Sequence, residues 1–290
     1  MCYVFCGEVT ERFGVQSRIP FSAVASLAEI LPDGSNLFPN IAIAQGETMA
    51  EQHADALHKL MDMPGIDAVV IFDDKREAFL PLDAFRRLSV DKRIKIDSDP
   101  SFILAHPGWA QQEMRRTLAD RYLNYELQGT GAFRFNQRDL VTVSDYYCEM
   151  AGEVGHALPA RIVNSSLRYY PNYGSIHTLD GQINTHIDNK QGFDARLIHV
   201  TMGSGTVLFD NRDFAVDKRC KNGVDVFSPR LLHEGISVLI LPEGASVLIT
   251  APSPAMLALG KPPNIHAHGI GRDNGEPEER LVERHDLALF

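Results

Sequence analysis

Hydrophobic and polar positions follow two different rhythms along this chain, and the change falls near residue 160. Upstream, Glu47 to Met61 (ETMAEQHADALHKLM) sets Met49, Leu57, Leu60 and Met61 among polar residues at helical spacing, which predicts an amphipathic helix. Ile66 to Phe72 (IDAVVIF) is short and β-branched and predicts a buried strand. Trp109 to Leu127, with Met114, Leu118, Tyr122 and Tyr125, and Asp139 to Leu158 predict two further helices. Downstream of Pro159 the runs shorten. Arg161–Tyr170, Gln182–Asp188, Ala195–Met202, Thr206–Phe209, Ser237–Leu241, Ser246–Ile249, Asn264–Ile270 and Glu279–Leu287 read as strands, most of them separated by Gly, Pro, Asn or Asp. Many short strands between turn residues predict a sandwich or barrel. No linker rich in Gly, Pro or Ser parts the two textures, and no repeat is visible. The expectation is therefore an α+β chain forming one domain over 1–290, in which a mixed α/β portion, 1–159, packs on a β core, 160–290.

Composition narrows the range of partners. Lys and Arg total 28 against 38 Asp and Glu, a net charge of −10, and no basic stripe suits a phosphate backbone. The longest apolar stretches fall far short of the ~20 residues of a membrane span. The opening MCYVFCGEVTERF has no basic segment ahead of an apolar run. Four cysteines in 290 residues make no disulfide framework; Cys2 and Cys6 are close enough in sequence to share a metal, but Cys148 and Cys220 are isolated, so reduced thiols are expected. These features point to a cytoplasmic protein that meets a small molecule and neither nucleic acid nor membrane. The oligomeric state is not legible.

His-x-Asp occurs twice, as His53-Ala54-Asp55 and His186-Ile187-Asp188. In a helix, residues i and i+2 diverge, which sets aside His53 and Asp55; in a strand they share a side. His186 and Asp188 lie at the end of a β-like run, where both can reach one metal. A third ligand is offered by His266-Ala267-His268, again two residues on one strand face. Two His and one carboxylate form the facial triad that holds Fe(II) with open positions. His233 is a weaker alternative, with no strand-and-Arg pattern after it. Gly203-Ser204-Gly205 precedes a β-like run, not a helix, and reads as a turn. His177 to Asp180 has the wrong spacing for a strand pair and reads as loop.

Four stretches resemble the Fe(II)/2-oxoglutarate-dependent oxygenase superfamily: Arg168-Tyr169-Tyr170-Pro171; THIDN with His186 and Asp188; Leu241-Pro242-Glu243-Gly244 followed by SVLIT; and the terminal HGIGRDNGEPEERLVERHDL. The last is similar to the HGxG…R run of phytanoyl-CoA-hydroxylase-like members. The likeness covers roughly residues 160 to 290. It implies a double-stranded β-helix (a jelly-roll, cupin-like core) flanked by N-terminal helices, with His186, Asp188 and His268 as Fe(II) ligands and His266 as the alternative third ligand. It also implies that Arg280, twelve residues after His268, receives the far carboxylate of 2-oxoglutarate in a bidentate fork. Arg284 shares its strand face and is equally able to serve. Tyr170 or Tyr169 would donate to a carboxylate, and Arg196 would bind cosubstrate or substrate.

The activity so implied is a dioxygenase using O2, a hydroxylase in the first instance, releasing succinate and CO2 and oxidising a small polar molecule such as an amino acid or natural-product intermediate. Asp188 favours hydroxylation, because related halogenases carry a small residue there. The long gap from Asp188 to His268 requires an insertion, for which Asp210 to Gly235 is the candidate, able to form a lid. Two other readings share the scaffold: a cupin-like metalloenzyme without 2-oxoglutarate, and a non-catalytic jelly-roll binding protein.

Overall fold

The structure, a computed structural model, describes residues 17–25, 38–72, 78–89, 94–98, 136–173, 178–179, 182–189, 192–221, 223–233, 236–269 and 278–289, with isolated positions 108, 112, 113 and 116. Cys2, Cys6, most of the Trp109–Leu127 segment, His177, Asp180 and residues 270–277 of the terminal run lie outside the described residues.

The chain is mixed α+β, with most of its regular structure in sheets. The larger sheet has the order β2-β3-β13-β8-β15-β5-β4, formed by Ile41–Ile43 (β2), Ala68–Ile71 (β3), Ile94–Ser98 (β4), Arg161–Tyr173 (β5), Ala195–Met202 (β8), Ser246–Thr250 (β13) and Glu278–Ala288 (β15). The smaller sheet has the order β1-β12-β9-β14-β7-β6, formed by Ser17–Ala25 (β1), Thr178–Leu179 (β6), Gln182–His186 (β7), Val207–Phe209 (β9), Ile236–Ile240 (β12) and His266–Ala267 (β14). A hairpin, Phe214–Lys221 (β10) with Val224–Leu231 (β11), forms a separate two-stranded sheet in the segment read as an insertion.

Strand alternation sorts the apolar residues into layers. In β8, β13 and β15, Ile198, Val200, Val247, Ile249 and Val282 point between the sheets, where they pack with Leu208 and Leu239 of the smaller one. Leu197, Leu248 and Leu287 point the other way, against Ala56 and Leu60 of α1 (Met49–Asp62) and Val154 of α3 (Gln137–Ala157). Leu281, Leu167 and Tyr169 face the same outer layer, beside Phe85 of α2 (Leu82–Ser89) and Tyr147 and Met150 of α3. The larger sheet is thus covered on both faces, which is why β3 (AVVI) and the centre of β13 (VLI) read as short apolar runs.

Helix α1 begins with a capping box: Thr48 Oγ1 accepts from the Glu51 amide at 3.2 Å, and the Glu51 carboxylate accepts from the Thr48 amide at 3.0 Å. No described helix is long and apolar enough to cross a membrane. The portion before residue 160 does more than supply helices. Its strands β2, β3 and β4 extend the larger sheet at both ends, and β1 closes the smaller one on β12 and also pairs with β7.

One carboxylate rivets these pieces. Asp67 is fully buried and accepts from Asn40 Nδ2 at 2.9 Å, Asn264 Nδ2 at 2.9 Å and Asn211 Nδ2 at 3.1 Å. Burial pushes its carboxyl from 3.8 up to about 7 against these three donors. The folded chain therefore holds a proton that the unfolded chain releases near 3.8, so stability falls as pH rises from about 4 to about 7. Denaturant titrations across that range should show this decline, and Asp67→Asn should flatten it.

Candidate metal centre

Strand β14 is only two residues long, yet it pairs on both edges, with β7 and with β9. The register puts His266 directly opposite His186, with ring centroids 4.3 Å apart. Asp188 follows just beyond the end of β7, so its side chain returns to the side of His186. Potential ligand atoms of His186, Asp188 and His266 all lie within 4.8 Å of one another. His186 Nε2 is 3.9 Å from Asp188 Oδ1, and His266 Nε2 is 3.4 Å from Asp188 Oδ2.

The residues fit a divalent transition-metal ion. Metal–ligand bonds of about 2.1 Å place neighbouring donor atoms about 3 Å apart, so a metal would draw these side chains closer together. Burial and the adjacent His266 hold the His186 imidazole well below its usual range, so it is neutral and able to ligate. Burial opposes ionisation of Asp188, but Arg196 and then the two rings outweigh it, keeping the carboxyl ionised and well below the carboxylate range.

Arg196 orients this carboxylate. Its Nη1 lies 2.5 Å from Asp188 Oδ2 and its Nε donates to Asp286 Oδ1 at 2.6 Å, while Asn164 Nδ2 donates to Asp286 Oδ2 at 3.2 Å. All three charged residues of the chain Asp188–Arg196–Asp286 are largely buried. The sequence offered Arg196 as a binder of cosubstrate or substrate; here both ends of its guanidinium are already engaged. The partner Asp286 carried no signal in the sequence, because its contact spans 90 residues.

The structure does not bring His268 into the three-residue group, although the resemblance favoured it over His266. Its ring centroid is 4.8 Å from that of His186, and its Nδ1 accepts from Arg284 Nη2 at 3.1 Å. The chain can leave the sheet here because Gly269 lies against the backbone of Ser204, where a Cβ would collide with the Ser204 carbonyl. Of the tyrosine pair, Tyr169 points to the helix layer, its ring 5.3 Å from Phe85 and its hydroxyl donating to Glu279 at 2.6 Å. Tyr170 takes the other face, its ring 5.4 Å from that of Tyr173.

Arg280 and Arg284 share the inner face of β15 with Val282 and Asp286. Arg280 is 1% exposed; its Nε donates to the Ser204 carbonyl at 2.7 Å, and its guanidinium lies 4.8 Å from the centre of the Tyr173 ring. Arg284 is buried, which pushes its guanidinium down to about 9. A cavity of roughly 520 Å³ opens beside Ser204 and is lined by Glu243, Glu278 and Glu279. It contains none of the three metal-site residues, and its carboxylates suit no dicarboxylate.

His53 is buried on α1, and Asp55 pairs with Lys59 at 2.7 Å, so the other His-x-Asp serves the helix. His233 makes a surface pair with Asp213 at 2.9 Å. Sequence reading passed over Asn189, next to Asp188. Its side-chain amide accepts from the Phe227 amide and donates to the Phe227 carbonyl, each at 2.6 Å, and so fastens β11 to the metal-site loop as a strand edge would. An Asn beside a ligand was the one available cue.

No family model and no curated protein matches this sequence. Among solved structures the chain is similar to the dioxygenase for auxin oxidation in rice, at 14% identity over 86% of this chain and 82% of that one, with a TM-score of 0.40. It is similar to the dioxygenase for auxin oxidation 1 from Arabidopsis thaliana in its complex with 2-oxoglutarate, at 8% identity over 86% and 91%, TM-score 0.38. A 2OG-Fe(II) oxygenase family oxidoreductase from Burkholderia pseudomallei aligns at 9% identity over 85% and 94%, TM-score 0.32.

Removing Arg196 leaves two buried carboxylates without their cation. Arg196→Met should lower the unfolding free energy of the metal-free protein by about 3–5 kcal/mol, read by denaturant titration.

Proposed function

We propose that this protein is an Fe(II)- and 2-oxoglutarate-dependent oxygenase, a hydroxylase of a small molecule, built on a double-stranded β-helix. The observation that carries the reading is the cross-strand pair His186 and His266 closed by Asp188, with arginines projecting from the facing sheet into the same interior. The strand order supports the scaffold. Numbering β5, β7, β8, β9, β12, β13, β14 and β15 from one to eight, the sheets run 6-3-8-1 and 5-4-7-2, the interleaving of a double-stranded β-helix in a single folded unit.

In this reading His186, Asp188 and His266 hold the iron, and His268 lines the wall beside it. Bound Fe(II) with 2-oxoglutarate and O2 supplies an oxidant able to remove a hydrogen from an unactivated carbon, with succinate and CO2 as coproducts. The residues of the chain do the rest. Arg196 fixes Asp188 in the ionised, ligating orientation. Arg280, buried and with Nη1 without a partner among the described residues, receives the far carboxylate, and Tyr170 stands on the same inner face. The apolar layer between the sheets, with Leu208 and Leu239, keeps water from that end of the site.

The deciding experiment is anaerobic: Fe(II) is added to metal-free protein and 2-oxoglutarate titrated while the visible metal-to-ligand charge-transfer band is followed. A saturable band at one equivalent is expected; metal binding without it would favour the cosubstrate-free metalloenzyme, and no metal binding the binding-protein reading. Asp188→Ala should abolish the band and turnover with the fold intact. His266→Ala should lose iron while His268→Ala retains it, and the reverse would restore His268 as ligand. Arg280→Ala should raise the 2-oxoglutarate requirement about 30-fold or more, the worth of a charge-assisted fork.

A further inference from the structure

We infer that the interior holds a second anion subsite, built on Arg284 with Arg168, and that the molecule oxidised carries a carboxylate bound there. This rests on the oxygenase reading and names the class of its substrate.

Arg284 is 7% exposed and faces the space between the sheets. Its described partner is the His268 imidazole, at 3.1 Å from Nη2 to Nδ1, and not a carboxylate. The Nε of Arg284 has no partner among the described residues. The neighbouring carboxylates, Asp188 and Asp286, both lie on Arg196, and Asp188 is also a metal ligand. Arg168 adds to the imbalance. It stands on β5 directly across from Val282, its charge acts against that of Arg284, and its own Nε has no partner among the described residues.

Loading the site does not remove this excess. The two charges of the metal and the two of 2-oxoglutarate cancel. With its 2-oxo acid end on the metal, 2-oxoglutarate has one free carboxylate, and that one belongs to Arg280. Four residues along a strand separate the Cα atoms of Arg280 and Arg284 by about 13 Å, so each serves its own anion. Arg284 has no carboxylate of its own among the described residues, a buried guanidinium is costly without an anion, and a planar carboxylate matches its fork. A carboxylate on Arg284 would hold the substrate beside His268, next to the metal centre.

The test uses the full chain and matched probes: straight-chain monocarboxylates from propionate to octanoate, benzoate, and their carboxamides. In the anaerobic Fe(II)–2-oxoglutarate complex, at least one acid should perturb the charge-transfer band at a concentration ten-fold or more below that of its amide. Arg284→Met should bring that ratio to about one while leaving the Kd for 2-oxoglutarate within three-fold of wild type, and Arg284→Lys should keep part of the preference. If no acid is preferred over its amide, or Arg284→Met weakens 2-oxoglutarate 30-fold, the subsite is overturned, the second result making Arg284 the cosubstrate anchor. A second readout separates this from failure of the oxygenase reading: in metal-free protein the same acid should raise the Tm of wild type but not of Arg284→Met, whether or not the band ever forms. No shift in either, or an equal shift from chloride, overturns the inference.

Discussion

The chemistry available to this chain depends on a strand of two residues. His266 and Ala267 are hydrogen-bonded on both sides, to β7 and to β9, so backbone ladders on both edges set the position of His266. A directly opposed cross-strand pair brings two side chains within a few ångströms, and here both are imidazoles. The same segment is tied down at its start, where Asn264 donates to the buried Asp67, a carboxylate that also gathers Asn40 and Asn211. Asp67 thus links the entry to β3, the end of β9 and the approach to β14. The position of a candidate metal ligand is set by a carboxylate outside the candidate site.

Alternation along β15 then divides polar work between two faces. Arg280, Arg284 and Asp286 point inward with Val282, whereas Glu283 points outward and accepts from Tyr146 of α3 and Thr201 of β8, each at 3.0 Å. His285 follows the outward face, its Nδ1 2.7 Å from Ser165 Oγ. The outer set knits the helix layer to the sheet. The inner set makes an interior rich in guanidinium groups, in a chain whose net charge is −10. Bulk acidity therefore says nothing about the charge a ligand meets inside. The hairpin β10–β11 joins this arrangement through Asn189, and a change in the hairpin would reach Asp188 across one peptide bond.

The larger part of the fold was legible in the sequence. The nine predicted strands all lie over strands of the structure, and the helices predicted at Glu47–Met61 and Asp139–Leu158 match α1 and α3 within a few residues. Pattern made them so: the apolar centre of β13, Val247 to Ile249, is buried on both faces, and α1 and α3 each present apolar residues to the sheet. The predicted strand Asn264–Ile270 shrank to two residues, because Gly269 turns the chain against Ser204. Strands β1, β2, β4 and β6 and the hairpin were missed, and β6 corrects the loop reading of His177 to Asp180, since Thr178–Leu179 pairs with β7. They are short or carry charges, like Lys218 and Arg219, and a solvent-facing strand with mixed polarity leaves no period to read.

For the site, residue types and local geometry could be read along the chain: His186 and Asp188 on one side of a strand end, a second pair of histidines near the C-terminus, and arginines two pleat repeats apart. Those follow from covalent spacing and strand period, which act over a few residues. Only the packed chain shows which of the two histidines clusters with His186 and Asp188, the clamping of Asp188 by Arg196 through Asp286, and the anchoring of the hairpin by Asn189. These depend on register between strands far apart in the chain. A shift of one residue reverses every side chain, and only the packing of both sheets fixes it.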